Sequence, residues 1–154
     1  MKRDSRLSGV LHILLHMARQ SEPLTSEALA RAMATNPAVV RRTMAGLRDA
    51  RLVHSEKGHG GGWTIARDPA RITLHDIYLA LGKPDVLAMS NRNDAPGCLV
   101  EQAVNEALGS AFAEAEALLL RRFSEVTLAQ LSASFDRRFA ERGADFALET
   151  IHAE

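Results

Sequence analysis

Four glycines fall within five positions in the run Gly58-His59-Gly60-Gly61-Gly62, and Trp63 follows them. The run joins two short β-like segments, Leu52-Val53-His54-Ser55 and Trp63-Thr64-Ile65-Ala66, so the stretch reads as a hairpin. Glycine permits positive φ and lets a backbone or a phosphate approach where a side chain would otherwise stand. Upstream, a helix-turn-helix pattern ends in Arg41-Arg42-Thr43-Met44-Ala45-Gly46-Leu47. A glycine-rich hairpin behind a helix of this kind is the plan of a winged helix. The predicted fold is mostly α with a small β-hairpin wing.

The helical spacing supports that plan. Leu7, Val10, Leu11, Leu14, Leu15 and Ala18 predict an amphipathic first helix over about residues 5–20. Ser21-Glu22-Pro23 ends it. Thr25 is a suitable N-cap for a second helix, with Glu27 in its first turn and Ala28, Leu29, Ala32 and Met33 as its buried stripe. Asn36 is a good N-cap and Pro37 suits the first position of a third helix. Val40, Met44 and Leu47 recur at i, i+4 and i+7 and should face inward. Ala38, Val39, Arg41, Arg42 and Ala45 are left largely outward. Small and cationic residues at the exposed start of such a helix are what insertion into a major groove requires.

Beyond the hairpin, Ile72 to Ala80 reads as a fourth helix, capped by Thr73 and closed by Gly82. Residues 83–97 read as a loop. Val100, Val104, Leu108, Ala111, Ala115 and Leu118 then trace an apolar stripe along one long helix. Its alanine-rich seam allows a second helix to come close, so this is the expected dimerisation helix, with purely intramolecular packing as the alternative. Thr127 opens a short amphipathic turn. The tail with Phe135, Phe139 and Phe146 reads equally as helix or as disorder. These elements divide the chain into a winged helix-turn-helix domain (1–82), a loop (83–98), and a dimerisation helix with its tail (99–154).

The 154 residues, 46% hydrophobic and 25% charged, suit one compact domain or a small domain with a dimerising arm. No apolar run is long enough for a signal peptide or membrane span, so a cytoplasmic location is expected. The single cysteine, Cys98, excludes an intrachain disulfide and a zinc site built mainly from thiolates. Net charge is zero but uneven. Residues 1–72 hold 12 Lys/Arg against 6 Asp/Glu, whereas residues 73–154 hold 7 against 13. A basic half joined to an acidic half suits a protein that presents one end to a polyanion.

The order from Thr25 through Ala80 resembles the Rrf2 family of bacterial winged helix-turn-helix transcriptional regulators, which includes the IscR-like and NsrR-like iron–sulfur sensors. The matching pieces are Leu29-Ala30, Pro37, Val40-Arg41-Arg42, Leu47-Arg48, Leu52-Val53, the Gly58-x-Gly60-Gly61-Gly62-aromatic run and Ile72-Thr73-Leu74-x-Asp76-Ile77. The long helix and Thr127-Leu128-Ala129-x-Leu131 fit as well, so the likeness spans about the first 131 residues. Many members carry three cysteines after the fourth helix as cluster ligands; here Asn93-Asp94-Ala95-Pro96-Gly97-Cys98 supplies one. The pattern is therefore closer to the cluster-free, YwnA-like branch, and no cofactor is expected. Arg51 stands where the family usually has glycine before Leu-Val. A left-handed backbone there would carry a cost.

The resemblance implies a homodimer that binds double-stranded DNA at an inverted repeat and acts as a repressor. Phosphate contacts should supply affinity and base edges specificity. By resemblance and helical geometry, Asn36, Ala38, Val39, Arg41 and Arg42 lie nearest the bases. An arginine can grip guanine O6 and N7 bidentately, and Ala38 or Val39 can meet a thymine methyl. A solvated helix face is the plainer reading of the two arginines. The amides of Thr25 and Ser26 open a helix where a phosphate would be favoured. Lys57, His59 and Gly60 on the wing should meet backbone or minor groove, although His59 reads equally as an exposed turn residue.

Cys98 opens the long helix, where the dipole favours a thiolate, so a redox switch is physically reasonable beside the plainer reading of a small half-buried side chain. His12 and His16 stand four apart on the first helix and could share a metal, but ordinary surface histidines account for them equally well. His54, His75 and His152 form no constellation. A protein-interaction module is the competing function, yet it would not need the Val-Arg-Arg face or the basic half. The chain has no phosphate-binding loop, nucleophile motif or paired acid and base, so no enzymatic activity is expected.

Overall fold

The computed structural model describes residues 4–142. The first helix, α1 (Arg6–Ala18), buries Val10, Ile13, Leu14 and Met17 along one stripe. In α2 (Ser26–Ala32) the Thr25 hydroxyl accepts the Ala28 N–H at 3.1 Å, satisfying an otherwise unpaired first-turn donor. A turn through Ala34, left-handed at φ 48°, leads to α3 (Pro37–Asp49). Asn36 Oδ1 accepts the Val39 N–H at 3.0 Å, and Pro37 fills a first-turn position that has no N–H to lose. Val40, Met44 and Leu47 are buried, as their spacing predicts.

Strands β1 (Val53–Glu56) and β2 (Gly62–Ile65) pair antiparallel, with Val53 opposite Ile65 and Glu56 opposite Gly62. A 3-10 turn, Pro69–Arg71, precedes α4 (Leu74–Ala80). Thr73 and Asp76 close a capping box there, each side chain accepting from the other's backbone N–H. Residues 83–98 contain neither helix nor strand, and α5 (Leu99–Glu125) then runs for 27 residues.

The segment after α5 is longer than the predicted turn. Thr127 and Gln130 cap a fifteen-residue helix, α6 (Leu128–Arg142), which returns to the head. Leu74 N–H donates to the Val126 carbonyl at 3.0 Å, and Leu128 N–H to the Ile72 carbonyl at 2.8 Å. Leu128 is completely buried in one core with Leu14, Leu29, Met44, Leu47, Leu52, Ile72 and Ile77. Each such leucine contributes on the order of 2 kcal/mol by leaving water. Phe135 stacks on Phe139, and Arg19 lies 4.3 Å over the Phe135 ring while pairing with Asp136. Phe146 and His152 lie outside the described residues.

Arg51 is left-handed, at φ 58°. Local bonds hold it in that conformation: Arg51 N–H reaches the Arg48 carbonyl at 2.8 Å, and Leu52 N–H the Leu47 carbonyl at 2.9 Å. Arg67 braces the same helix end, donating to the carbonyls of Arg51 at 3.1 Å and Ala50 at 2.9 Å.

Candidate nucleic-acid interface

The start of α3 presents a continuous outward face. Ala38, Val39, Arg41 and Arg42 are exposed, Val39 to 46%, on the side opposite Val40 and Met44. An exposed valine flanked by two arginines joins a methyl-seeking surface to two cationic forks. The two arginines differ. Arg41 Nη2 lies 2.5 Å from Glu27 Oε1 on α2, while Arg42 has no carboxylate partner among the described residues. Asn36 turns its carbonyl oxygen to the cap, and its amide nitrogen remains as a donor for another partner.

At the head of α2, Thr25 is exposed and Ser26 is not. Ser26 is 8% accessible and its hydroxyl accepts the Trp63 indole N–H at 2.9 Å. The Ser26 side chain therefore ties the wing to the helix-turn-helix, and only its backbone amide remains for a phosphate. Leu24 and Trp63 also exchange both backbone hydrogen bonds, at 3.1 and 2.9 Å, so the chain before α2 lies alongside β2. Sequence reasoning missed this link. A lone tryptophan next to a glycine run was its only signal.

The link changes the reading of the glycines. A Cβ on Gly62 would stand 2.7 Å from the Leu24 carbonyl oxygen, and one on Gly61 only 2.3 Å from that of Glu56. Those two glycines serve close backbone approach inside the protein rather than toward a phosphate. Gly58 and Gly60, at φ 92° and 77°, face open space and form the wing tip with the exposed Lys57 and His59. The close approach foreseen for the whole run is thus internal in its second half, and only the first half faces solvent.

The apolar stripe of α5 is bare. Leu99, Val100, Val104, Leu108 and Leu118 are 41% to 79% exposed, Ala111 and Ala115 are exposed too, and none of the helix's 27 residues is buried. A row of large side chains left in water along one helix marks an interaction surface. Cys98 precedes it, exposed, and backbone N–H groups of Glu101 and Val100 hold its thiol below the ordinary range. On α1, the Nε2 atoms of His12 and His16 lie 2.9 Å apart.

A family model described as an iron-dependent transcriptional regulator, Rrf2, matches residues 3–134. YwnA of Bacillus subtilis (strain 168), provisionally assigned as an HTH-type transcriptional regulator, is 35% identical over 109 residues, which span 71% of this chain and 80% of YwnA. A crystal structure provisionally described as that of a DNA-binding protein superposes with a TM-score of 0.66 at 27% identity, covering 82% of this chain and 98% of its own. CymR, the global cysteine regulator of B. subtilis, superposes with a TM-score of 0.60 at 20% identity, covering 87% and 98%, a likeness of fold. The donor set does not fit the iron that the family description implies. Cys98 is the one cysteine of the chain, and no group of three His, Cys, Asp or Glu among the described residues could hold a metal ion.

Proposed function

This chain belongs to the Rrf2 family of transcriptional regulators, and from that premise we propose that it works as a homodimeric repressor that reads an inverted-repeat operator. The observation that carries the reading is the exposed Val39-Val40-Arg41-Arg42 turn of α3, with only Val40 turned inward, in the same domain as a solvent-facing wing tip. Arg41, Arg42 and Val39 would read base edges in the major groove, while Lys57 and His59 would meet phosphates or the minor groove. Thr25 and the Ser26 amide would sit against the backbone. Pairing through the α5 stripe would set two recognition helices on successive groove faces and cover its exposed leucines and valines at once. At an operator that overlaps a promoter, a bound dimer would repress by excluding polymerase without further contacts.

The proposed regulator carries no resident cofactor, because one thiol per chain is too few for a cluster. The purified protein should be colourless, and visible absorbance lost on chelation would overturn this. Cys98 is the proposed site of any redox response. Its thiolate would attack peroxide oxygen, giving a sulfenic acid and releasing hydroxide. Peroxide treatment that leaves operator binding identical in wild type and Cys98→Ser would remove that role.

Equilibrium titration with operator and random duplexes at several salt concentrations tests the main reading. Arg42→Ala should weaken operator binding by about 1–3 kcal/mol and relax base preference. Lys57→Ala should instead weaken both duplexes alike and flatten the salt dependence by about one phosphate contact. A wild-type protein with flat salt dependence and no preferred sequence would favour the protein-interaction alternative.

A further inference from the structure

We infer that Glu27 is a specificity-determining residue, one that reserves Arg41 for base edges and withholds it from phosphate. The inference rests on the DNA reading above. Glu27 is the second residue of α2 and Arg41 the fifth of α3, so the turn of the helix-turn-helix brings a carboxylate onto the face that otherwise carries cations. The pair is close, at 2.5 Å, yet both side chains are more than half exposed. An ion pair so wet adds little to folding stability. Its consequence lies in what the guanidinium can do next.

A guanidinium carries five donors in a rigid planar fork. Glu27 engages one terminal nitrogen and leaves donors of the fork free. Anchored to one helix, the fork is held in a restricted direction, as bidentate contact with guanine O6 and N7 requires. Freed of the carboxylate, Arg41 would swing to the nearest phosphate, because phosphates are more numerous than matching bases on any duplex. The carboxylate also repels phosphate itself. Glu27 therefore acts twice in one direction: it favours the oriented contact and penalises the unoriented one. Arg42, without such a partner among the described residues, is subject to neither effect.

A double-mutant cycle on the full chain tests this, using wild type, Glu27→Gln, Arg41→Ala and the double variant. Each is titrated with a selected operator duplex and a random duplex across a salt series. Glu27→Gln should bind random duplex about three- to tenfold tighter, with a salt slope steeper by about one phosphate contact. The operator-to-random ratio should fall about tenfold. In the Arg41→Ala background, adding Glu27→Gln should leave that ratio unchanged. Equal gains on both duplexes, or the same fall in ratio in both backgrounds, would overturn the inference. If Glu27→Gln fails to fold, Glu27→Asp must lower the ratio with a smaller gain on random duplex, since it draws the carboxylate back from Arg41 but keeps the charge, and an unchanged ratio would overturn the inference. Absence of any operator preference in the wild type would defeat the DNA reading itself, and that arm is read before the cycle.

Discussion

Individual residues carried the clearest sequence signals where one side chain solves one local problem. Thr25, Asn36 and Thr73 each accept a first-turn N–H, and each stands at the helix start its type predicts. Arg51 shows the opposite situation, a residue whose backbone its side chain does not favour. Arg51→Gly should relieve the left-handed strain and raise unfolding stability by about 0.5–1 kcal/mol, read from the denaturant midpoint by Trp63 fluorescence. An unchanged or lowered midpoint would mean that the bracing by Arg67 already removes the strain. For Cys98 the helix-start amides lower the thiol pKa, so the thiolate persists to lower pH than in a free cysteine. Alkylation by iodoacetamide should therefore rise with pH along a curve displaced to the acid side of that of an unstructured cysteine peptide. Coincident curves would show that the amides exert no effect in solution.

Elements were legible to the extent that their period was local. The stripes of α1 and α3 announce themselves in the 3.6-residue spacing of their buried side chains. The wing was legible as a hairpin, but not as a hairpin fastened to the strand before α2, because the Leu24–Trp63 bridge joins residues far apart in the chain. That fastening makes Gly62 a packing requirement. Gly62→Ala should cost about 2–3 kcal/mol, since its Cβ would meet the Leu24 backbone, and it should also weaken DNA binding by displacing the wing. Thermal melts monitored by circular dichroism check the first part; a loss below about 0.5 kcal/mol would mean that the bridge yields at little cost. Glu27 belongs at this scale as well. Its first-turn position suits the helix dipole and explains it locally, while its contact with Arg41 exists only because α2 and α3 cross.

For the whole molecule, the decisive feature is that α5 leaves the head and α6 comes back to it. Leu128 closes the same core as α1 and α3, so the C-terminal part of the chain both projects an arm and seals the domain. Among the described residues no helix is long and apolar enough to cross a membrane, and under the proposed reading the bare stripe of α5 is covered by the second subunit. Placing a charge in the seam separates that role from folding. Leu108→Glu, at a site 41% exposed in the single chain, should leave the melting temperature of the head nearly unchanged. It should convert a dimer to a monomer in sedimentation and lower operator affinity by about a hundredfold or more, as the second half-site contact is lost. A variant that stays dimeric would place the dimer contact elsewhere.

The sequence alone determined the first five helices in order, the caps of α2, α3 and α4, the hairpin and the outward arginine pair, because each follows from spacing within a few turns of one chain. Tertiary structure decided which glycines pack and which are free, that Ser26 faces Trp63, that Arg41 meets Glu27, and that the chain beyond Glu125 returns to the core. Those outcomes depend on contacts between segments distant in sequence. Such contacts form only when several elements dock together, and no periodicity in a single segment encodes them.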